Sequence, residues 1–267
     1  MIVGGPTIMK QNSKCQLVPL GQVGYRFQFG PTVVFIDPYL SDYVEEVEGP
    51  DLRRSFPAPF PADAVCDADW VLVTHAHIDH CDPRTIGPLA LASPSSRFIG
   101  PPPVLRVLRR LGIDGGRLHL APETTWLSLG DALQVTAVPA AHPQVVRDPD
   151  GHAESVGYVL EFQGRRFYHA GDTSVADELM QRLKDLAPLE IGFLPVNERN
   201  FFKDRRGIIG NMTLREAFGL ADEIGTQVVV PTHWDMFKPN AVPREEIELL
   251  YQLLRPACHL ALYPHEL

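Results

Sequence analysis

The chain has 267 residues, 45% hydrophobic and 21% charged, with a formal net charge of −9. That acidic balance excludes the clustered basic surface a nucleic-acid backbone demands. No apolar stretch approaches a membrane span, the N-terminus lacks a signal-peptide pattern and the four cysteines form no C-x-x-C pair, so we expect a cytoplasmic protein with reduced thiols, folded as one domain over 1–267.

Residues 1–14 carry little pattern and read as a loosely held tail. Residues 25–29 alternate, Gly30-Pro31 turns, and 33–36 run apolar into Asp37-Pro38, giving a hairpin whose second strand is buried and ends in a carboxylate. Asp37 is then either a turn residue before proline or a hydrogen-bond partner that orients a metal-ligating imidazole from behind. The proline-bearing loop 50–61, with Phe56 and Phe60, is long enough for a lid or pocket wall.

Trp70-Val71-Leu72-Val73 is an apolar run of the kind buried in a sheet covered on both faces. Asp82-Pro83 pairs an N-cap with proline at the first helical position, so a helix starts there and turns Ile86, Leu89 and Ala90 inward. Between the two, residues 75–82 hold three histidines and two aspartates. This strand-to-helix loop lies beyond the carboxyl end of a strand, where open α/β sheets bind ligands. The spacing predicts half of a two-metal site, with His75 and His77 aimed at one cation and Asp79 and His80 at another. Imidazole with carboxylate suits zinc, manganese or iron(II).

Further on, 97–99 reads as a strand and 102–111 as an amphipathic helix capped by Gly112. A hairpin of 126–129 and 133–138 leads to His142, the further nitrogen a first cation needs. Another, 156–162 with 165–169, runs into Gly171-Asp172, where Asp172 can bridge two cations or cap a helix over 175–187. His169 is a candidate for positioning substrate, with a place in the core as its alternative; His152 is a loop residue that could overhang the pocket mouth. After a short buried strand at 191–194, the loop 196–212 gathers Asn197, Arg199, Lys203, Arg205 and Arg206 in an otherwise acidic chain. Either it is a solvated loop, or Asn197, Arg199, Arg205 and Arg206 anchor an anionic substrate, since arginine forks onto phosphate or carboxylate. Thr213-x-x-Glu216 is a capping box opening a helix to Glu223, and Gly225 ends it. The strand 227–232 delivers His233, the last expected ligand. A helix over 243–254 and a strand over 259–262 close the chain. His119, His259 and His265 receive no role. P-loop, dinucleotide and Gly-x-Ser-x-Gly signatures are absent.

Thr-His-Ala-His-Ile-Asp-His, the lone His142, Gly171-Asp172 and Pro-Thr-His233 follow one another in the order of the metallo-β-lactamase superfamily, which the chain resembles over most of its length. In the C-terminal third, Tyr-His-Ala-Gly-Asp-Thr, the loop ending in Gly-Asn-Met-Thr, and Val-Val-Pro-Thr-His-Trp-Asp-Met-Phe are similar to the branch containing L-ascorbate-6-phosphate lactonase, although this chain is shorter. The first resemblance implies an α/β (α+β) fold, a four-layer αββα sandwich of two mixed β-sheets with helices outside and a site at one edge. It implies His75, His77 and His142 on the first metal, Asp79, His80 and His233 on the second, and Asp172 as bridge. The second resemblance implies zinc or manganese, a sugar-like lactone phosphate as a small anionic substrate, and a homo-oligomer. Two cations sharing a hydroxide give a nucleophile at neutral pH, so hydrolysis of a lactone or ester is expected, with Asp79 both ligating and passing a proton to the leaving oxygen. The rivals are a phosphodiesterase on the same scaffold and a metal- or ligand-binding protein without turnover.

Overall fold

The computed structural model describes residues 15–264; the tail expected at 1–14 and His265 lie outside them. One sheet runs in the order β1 (Gln16–Gly21), β2 (Gly24–Phe29), β3 (Thr32–Ile36), β4 (Trp70–Leu72), β5 (Arg97–Gly100) and β6 (Leu118–Leu120). Its first three strands are antiparallel neighbours and β3 to β6 run parallel, with α1 (Tyr43–Glu48), α2 (Pro83–Ala92) and α3 (Pro102–Arg110) in the connections. The other sheet holds β7 (Leu127–Gly130), β8 (Leu133–Pro139), β9 (Val156–Phe162), β10 (Arg165–His169), β11 (Ile191–Pro195), β12 (Val228–Thr232) and β13 (His259–Leu260), each beside the next. Here β7 to β10 are antiparallel and β10 to β13 parallel, joined by α4 (Asp177–Leu186), α5 (Phe201–Asp204), α6 (Leu214–Glu223) and α7 (Arg244–Leu254).

Alternation along the strands sorts side chains into layers, because successive residues point to opposite faces of a sheet. Val34 and Ile36 of β3, Trp70 and Leu72 of β4, and Tyr158, Leu160 and Phe162 of β9 enter one core between the sheets. Val33, Phe35 and Val71 face the other way, onto the inner faces of α2 and α3. Val159, Tyr168 and Val229 meet α4, α6 and α7. Four layers follow, as the resemblance implies. Phe27, Phe29, Phe162, Phe167 and Phe193 interlock between the sheets with ring centroids 5.3–5.7 Å apart. Each fully buried ring contributes on the order of 2–3 kcal/mol to holding the two sheets together.

The expected helix starts are present. Asp82 accepts the Arg84 amide at the head of α2, and Thr213 and Glu216 form a reciprocal capping box on α6. The expected helix at 175–187 begins only at Asp177, with Ala176 at its cap position, so Asp172 does not cap it. The closing strand ends at Leu260 rather than 262.

This topology sets the site. Strands β3 and β4 are parallel, as are β10 and β12 across β11, and β8 shares the direction of β10 because both oppose β9. The carboxyl ends of β3, β4, β8, β10 and β12 therefore come to one rim, and the turn between β1 and β2 lies there too, since Tyr25 pairs with Ile36. At that rim the sheets touch directly: Val156 N donates to Thr74 O at 3.0 Å and Tyr158 Oη donates to Val73 O at 2.9 Å.

Candidate metal centre

Each of those strand ends delivers a metal-type side chain. The loop after β4 carries His75, His77, Asp79 and His80, β8 leads to His142, β10 to Asp172 and β12 to His233. His75, His77 and His142 form one group whose potential ligand atoms all lie within 4.8 Å of one another, and Asp79, His80 and His233 form another. Asp172 joins them, its Oδ1 3.4 Å from His80 Nε2 and its Oδ2 3.3 Å from His233 Nε2 and 3.7 Å from His142 Nε2. The order of the chain thus becomes a single cluster drawn from both sheets.

Hydrogen bonds behind the cluster fix which nitrogen faces it. Asp37, fully buried, accepts from Thr74 N at 2.8 Å, from Thr74 Oγ1 at 2.6 Å and from His80 Nδ1 at 2.8 Å. Its role as an imidazole partner is the one the geometry adopts. Thr74 Oγ1 also lies 3.1 Å from His75 Nδ1, and Asn211 Oδ1 lies 3.1 Å from His142 Nδ1. With Nδ1 protonated on each ring, Nε2 keeps its lone pair, the arrangement that orients metal-binding histidines. His75 Nε2, His80 Nε2 and Asp172 Oδ1 are buried without a hydrogen-bond partner among the described residues. Orphaned acceptors are costly in a dry interior, and divalent cations satisfy them, so the donor set fits such ions. Asp37, Gln22 and His233 also hold left-handed backbones, at φ 44°, 58° and 61°, the kind of local strain that persists at functional sites.

Electrostatics divide the cluster. Burial, and then the neighbouring His80, His77 and His142, holds the His75 imidazole well below its ordinary range. Burial likewise takes His142 down to about 4, against the pull of Asp172. Burial would push the Asp79 carboxyl up, but His80 and His233 outweigh it and keep it ionised far below the usual range. The same contest raises His233 to about 9, Asp172 overcoming desolvation.

A cleft of about 670 Å³ opens over the cluster, with His77, Asp79, His142, Asp172 and His233 in its floor and Pro50, Asp51, Leu52, Arg206, Ile208 and Ile209 on its walls. The start of the proline-bearing loop is thus a pocket wall, as expected. Of the four residues expected to bind an anionic substrate, Arg206 alone lines the cleft, and it pairs with Asp51 at 2.8 Å across the mouth. Arg199 is spent on Ser174 Oγ, Asn211 O and Glu216, and Arg205 lies over the Phe201 ring. Asn197 accepts from Asn211 Nδ2 at 2.9 Å and so supports His142 from behind. His169 takes the place in the core that was the alternative to a substrate role. Its Nε2 donates to Val23 O at 2.7 Å, its Nδ1 accepts from Gly171 N, and it is buried beside Phe193, away from the cleft. His152 lines a separate groove of about 990 Å³ beside β6 and β7, which holds none of the seven side chains.

Three members of the centre escape sequence reasoning. Gln22, in the turn between β1 and β2, places Nε2 2.7 Å from Asp79 Oδ2 and 2.9 Å from His233 Nε2. Asn211 and Thr74 hold the imidazoles described above. An amide or hydroxyl in a turn carries no metal signature, and only the position of Thr74 directly before His75 hints at its role.

Residues 32–234 match the profile of the Beta-lactamase superfamily domain. A UPF0173 metal-dependent hydrolase of Methanoculleus marisnigri is 29% identical over 212 residues, covering 78% of this chain and 76% of that protein. A metallo hydrolase from Ignicoccus hospitalis superposes with a TM-score of 0.68 at 18% identity, covering 95% of this chain and 97% of its own. CmlA, a diiron β-hydroxylase from Streptomyces venezuelae, reaches 0.69 at 16% identity over 96% of this chain and 54% of its own. At those identities the two solved structures speak for the fold alone. The domain profile covers most of the sequence, including all seven clustered side chains, and the chain therefore belongs to the beta-lactamase superfamily.

Proposed function

We propose that this chain is a metal-dependent hydrolase that opens a lactone or carboxylic ester bond in a small anionic substrate of the sugar-like lactone phosphate type. The observation that carries the reading is the convergence of seven histidine and aspartate side chains in one cluster, five of them on the floor of one cleft, with buried acceptor atoms that have no hydrogen-bond partner among the described residues. His75, His77 and His142 would hold one divalent cation, Asp79, His80 and His233 a second, with Asp172 between them; zinc and manganese suit this donor set, and iron(II) also fits. Such cations supply Lewis acidity and acidify water at neutral pH.

The protein's own groups then have defined tasks. Asp79, ionised at the cleft floor, would take a proton from the attacking water and return it to the leaving oxygen. Arg206, on the cleft wall, exchanges its exposed partner Asp51 for the substrate's anionic group. Val44, Ile209 and Phe237 make part of the cleft apolar, limiting the water that competes for the site. No activated serine or cysteine is required, and Cys81 is buried with its thiol pushed up to about 12. The homo-oligomer belongs to the same reading, and sedimentation measures it.

Elemental analysis of the purified protein, then assays on lactones, lactone phosphates and phosphodiesters, tests the proposal. Two divalent ions per chain and turnover of a lactone phosphate are expected, with His75→Ala and Asp172→Ala each lowering kcat/KM at least about a hundredfold, more than loss of an outer-shell partner. Arg206→Ala should raise KM for anionic substrates and leave neutral lactones unchanged. Turnover of phosphodiesters alone would reassign the protein to that reaction, and two bound ions without turnover would make it a binding protein.

A further inference from the structure

We propose that Gln22 is an additional, neutral oxygen ligand of the second cation, closing the Asp79, His80 and His233 group through Oε1. The proposal rests on the two-cation reading above. Gln22 is 4% exposed, and its backbone occupies the left-handed region at φ 58°, beside Gly21 at 93°. That conformation favours glycine or asparagine, so a long amide placed there answers to its side chain. The main chain is pinned where it is needed, because His233 N donates to Gln22 O at 3.0 Å.

The side chain ends among ligand atoms. Nε2 stands 2.7 Å from Asp79 Oδ2 and 2.9 Å from His233 Nε2, while Oε1 is buried with no hydrogen-bond partner among the described residues. Once a cation draws the lone pairs of Asp79 Oδ2 and His233 Nε2, the imidazole nitrogen no longer accepts the amide hydrogen, and an NH2 group facing a cation is repelled. A half-turn of the terminal amide exchanges two nearly isosteric atoms. It sets Oε1 between those two ligand atoms. Atoms bound to one ion at about 2.1 Å stand roughly 3 Å apart, the spacing Gln22 already keeps. A neutral carboxamide oxygen adds no charge to a cluster holding two carboxylates, and as a hard donor it favours manganese or iron(II) over zinc.

The experiment strips wild type, Gln22→Leu and Gln22→Glu with chelator and titrates each with Mn2+ and with Zn2+ by calorimetry. Wild type must take up two ions; fewer would sink the two-cation reading itself, whatever Gln22 does. With two bound, Q22L should weaken the second Mn2+ at least about tenfold, Zn2+ less, and leave the first ion unchanged. Q22E should bind the second Mn2+ as tightly as wild type or more tightly, since its carboxylate restores the oxygen. If Q22E loses the ion as Q22L does, Gln22 acts as an amide donor to Asp79 and the proposal falls; it also falls if neither variant differs from wild type. If circular dichroism shows both variants unfolded, wild-type crystals soaked in Mn2+ decide. Gln22 Oε1 within about 2.5 Å of the second ion supports ligation, and a separation beyond about 3.5 Å overturns it.

Discussion

Asp37 gathers three hydrogen bonds at a point with no solvent, two from Thr74 and one from His80. Truncating it strands those donors, each costing about 1–3 kcal/mol. Asp37→Ala should therefore lose at least about 3 kcal/mol in a denaturant titration, along with affinity for any ion that His80 would hold. Titration of the cluster makes a second prediction, for chelator-treated protein. His142 is lowered to about 4 when folded, so its contribution is complete above the ordinary histidine value of 6.5 and is lost as pH falls toward 4. His233 is raised to about 9, so its contribution is complete below 6.5 and is lost as pH rises through 9. The melting temperature should peak near pH 6.5 and decline on both sides. With cation present the alkaline decline should vanish, because an ion that binds deprotonated ligands binds more tightly as pH rises. The clustered side chains are readable because histidines and aspartates stand just past apolar strands. Gln22 and Asn211 are not, and Asn197 reads as a substrate anchor rather than a partner of Asn211, since an amide's partner is decided only when distant turns meet.

Among the elements, those with strong local chemistry were legible: Asp82-Pro83 opening α2, the capping box of α6, and the hairpins of β2 with β3 and β9 with β10. The unread elements are short or lie at a sheet edge. β1 carries Pro19 and among the described residues pairs only with β2, β6 has three residues, and α1 has six with no side-chain cap. The loop 196–212 reads equally as a solvated loop or a substrate anchor because charge cannot say which way a side chain turns. In the fold it contains α5, capped by Asn200, and Lys203 folds back onto Asn197 O and Glu198 O. Its charges mostly stiffen the loop that holds Asn211 behind His142. The cap of α2 gives a prediction at this scale. Asp82 accepts from Arg84 N, Ser41 Oγ and Thr85 Oγ1, tying α2 to the segment after β3. Asp82→Ala should cost about 2–4 kcal/mol, more than an ordinary cap because two hydroxyls lose their acceptor as well. It should also slow metal uptake, since the histidine loop hangs from that helix start.

At the scale of the molecule, the centre is a seam. His75, His77, Asp79 and His80 belong to the sheet of β1 to β6, and His142, Asp172 and His233 to the sheet of β7 to β13. Cations held between them would clamp two layers that hydrophobic packing already joins, and binding to the folded state alone raises stability with ion concentration. The seam closes only because Gly171 has no side chain. Its φ of +60° is left-handed, and a Cβ there would stand 2.7 Å from the Cβ, Cγ2 and Oγ1 of Thr74 on the opposing sheet. Gly171→Ala should cost about 1 kcal/mol for the backbone and about 1–3 kcal/mol for the overlap. It should also reduce the stabilisation that added metal gives, because the strain pushes Asp172 away from the histidine loop. Adding Thr74→Ser removes Cγ2 but keeps the hydroxyl that serves Asp37, so the double variant should recover part of the loss. A thermodynamic cycle over the two substitutions, read with and without metal, measures that coupling. If the two effects simply add, the close approach of the sheets is not what Gly171 protects.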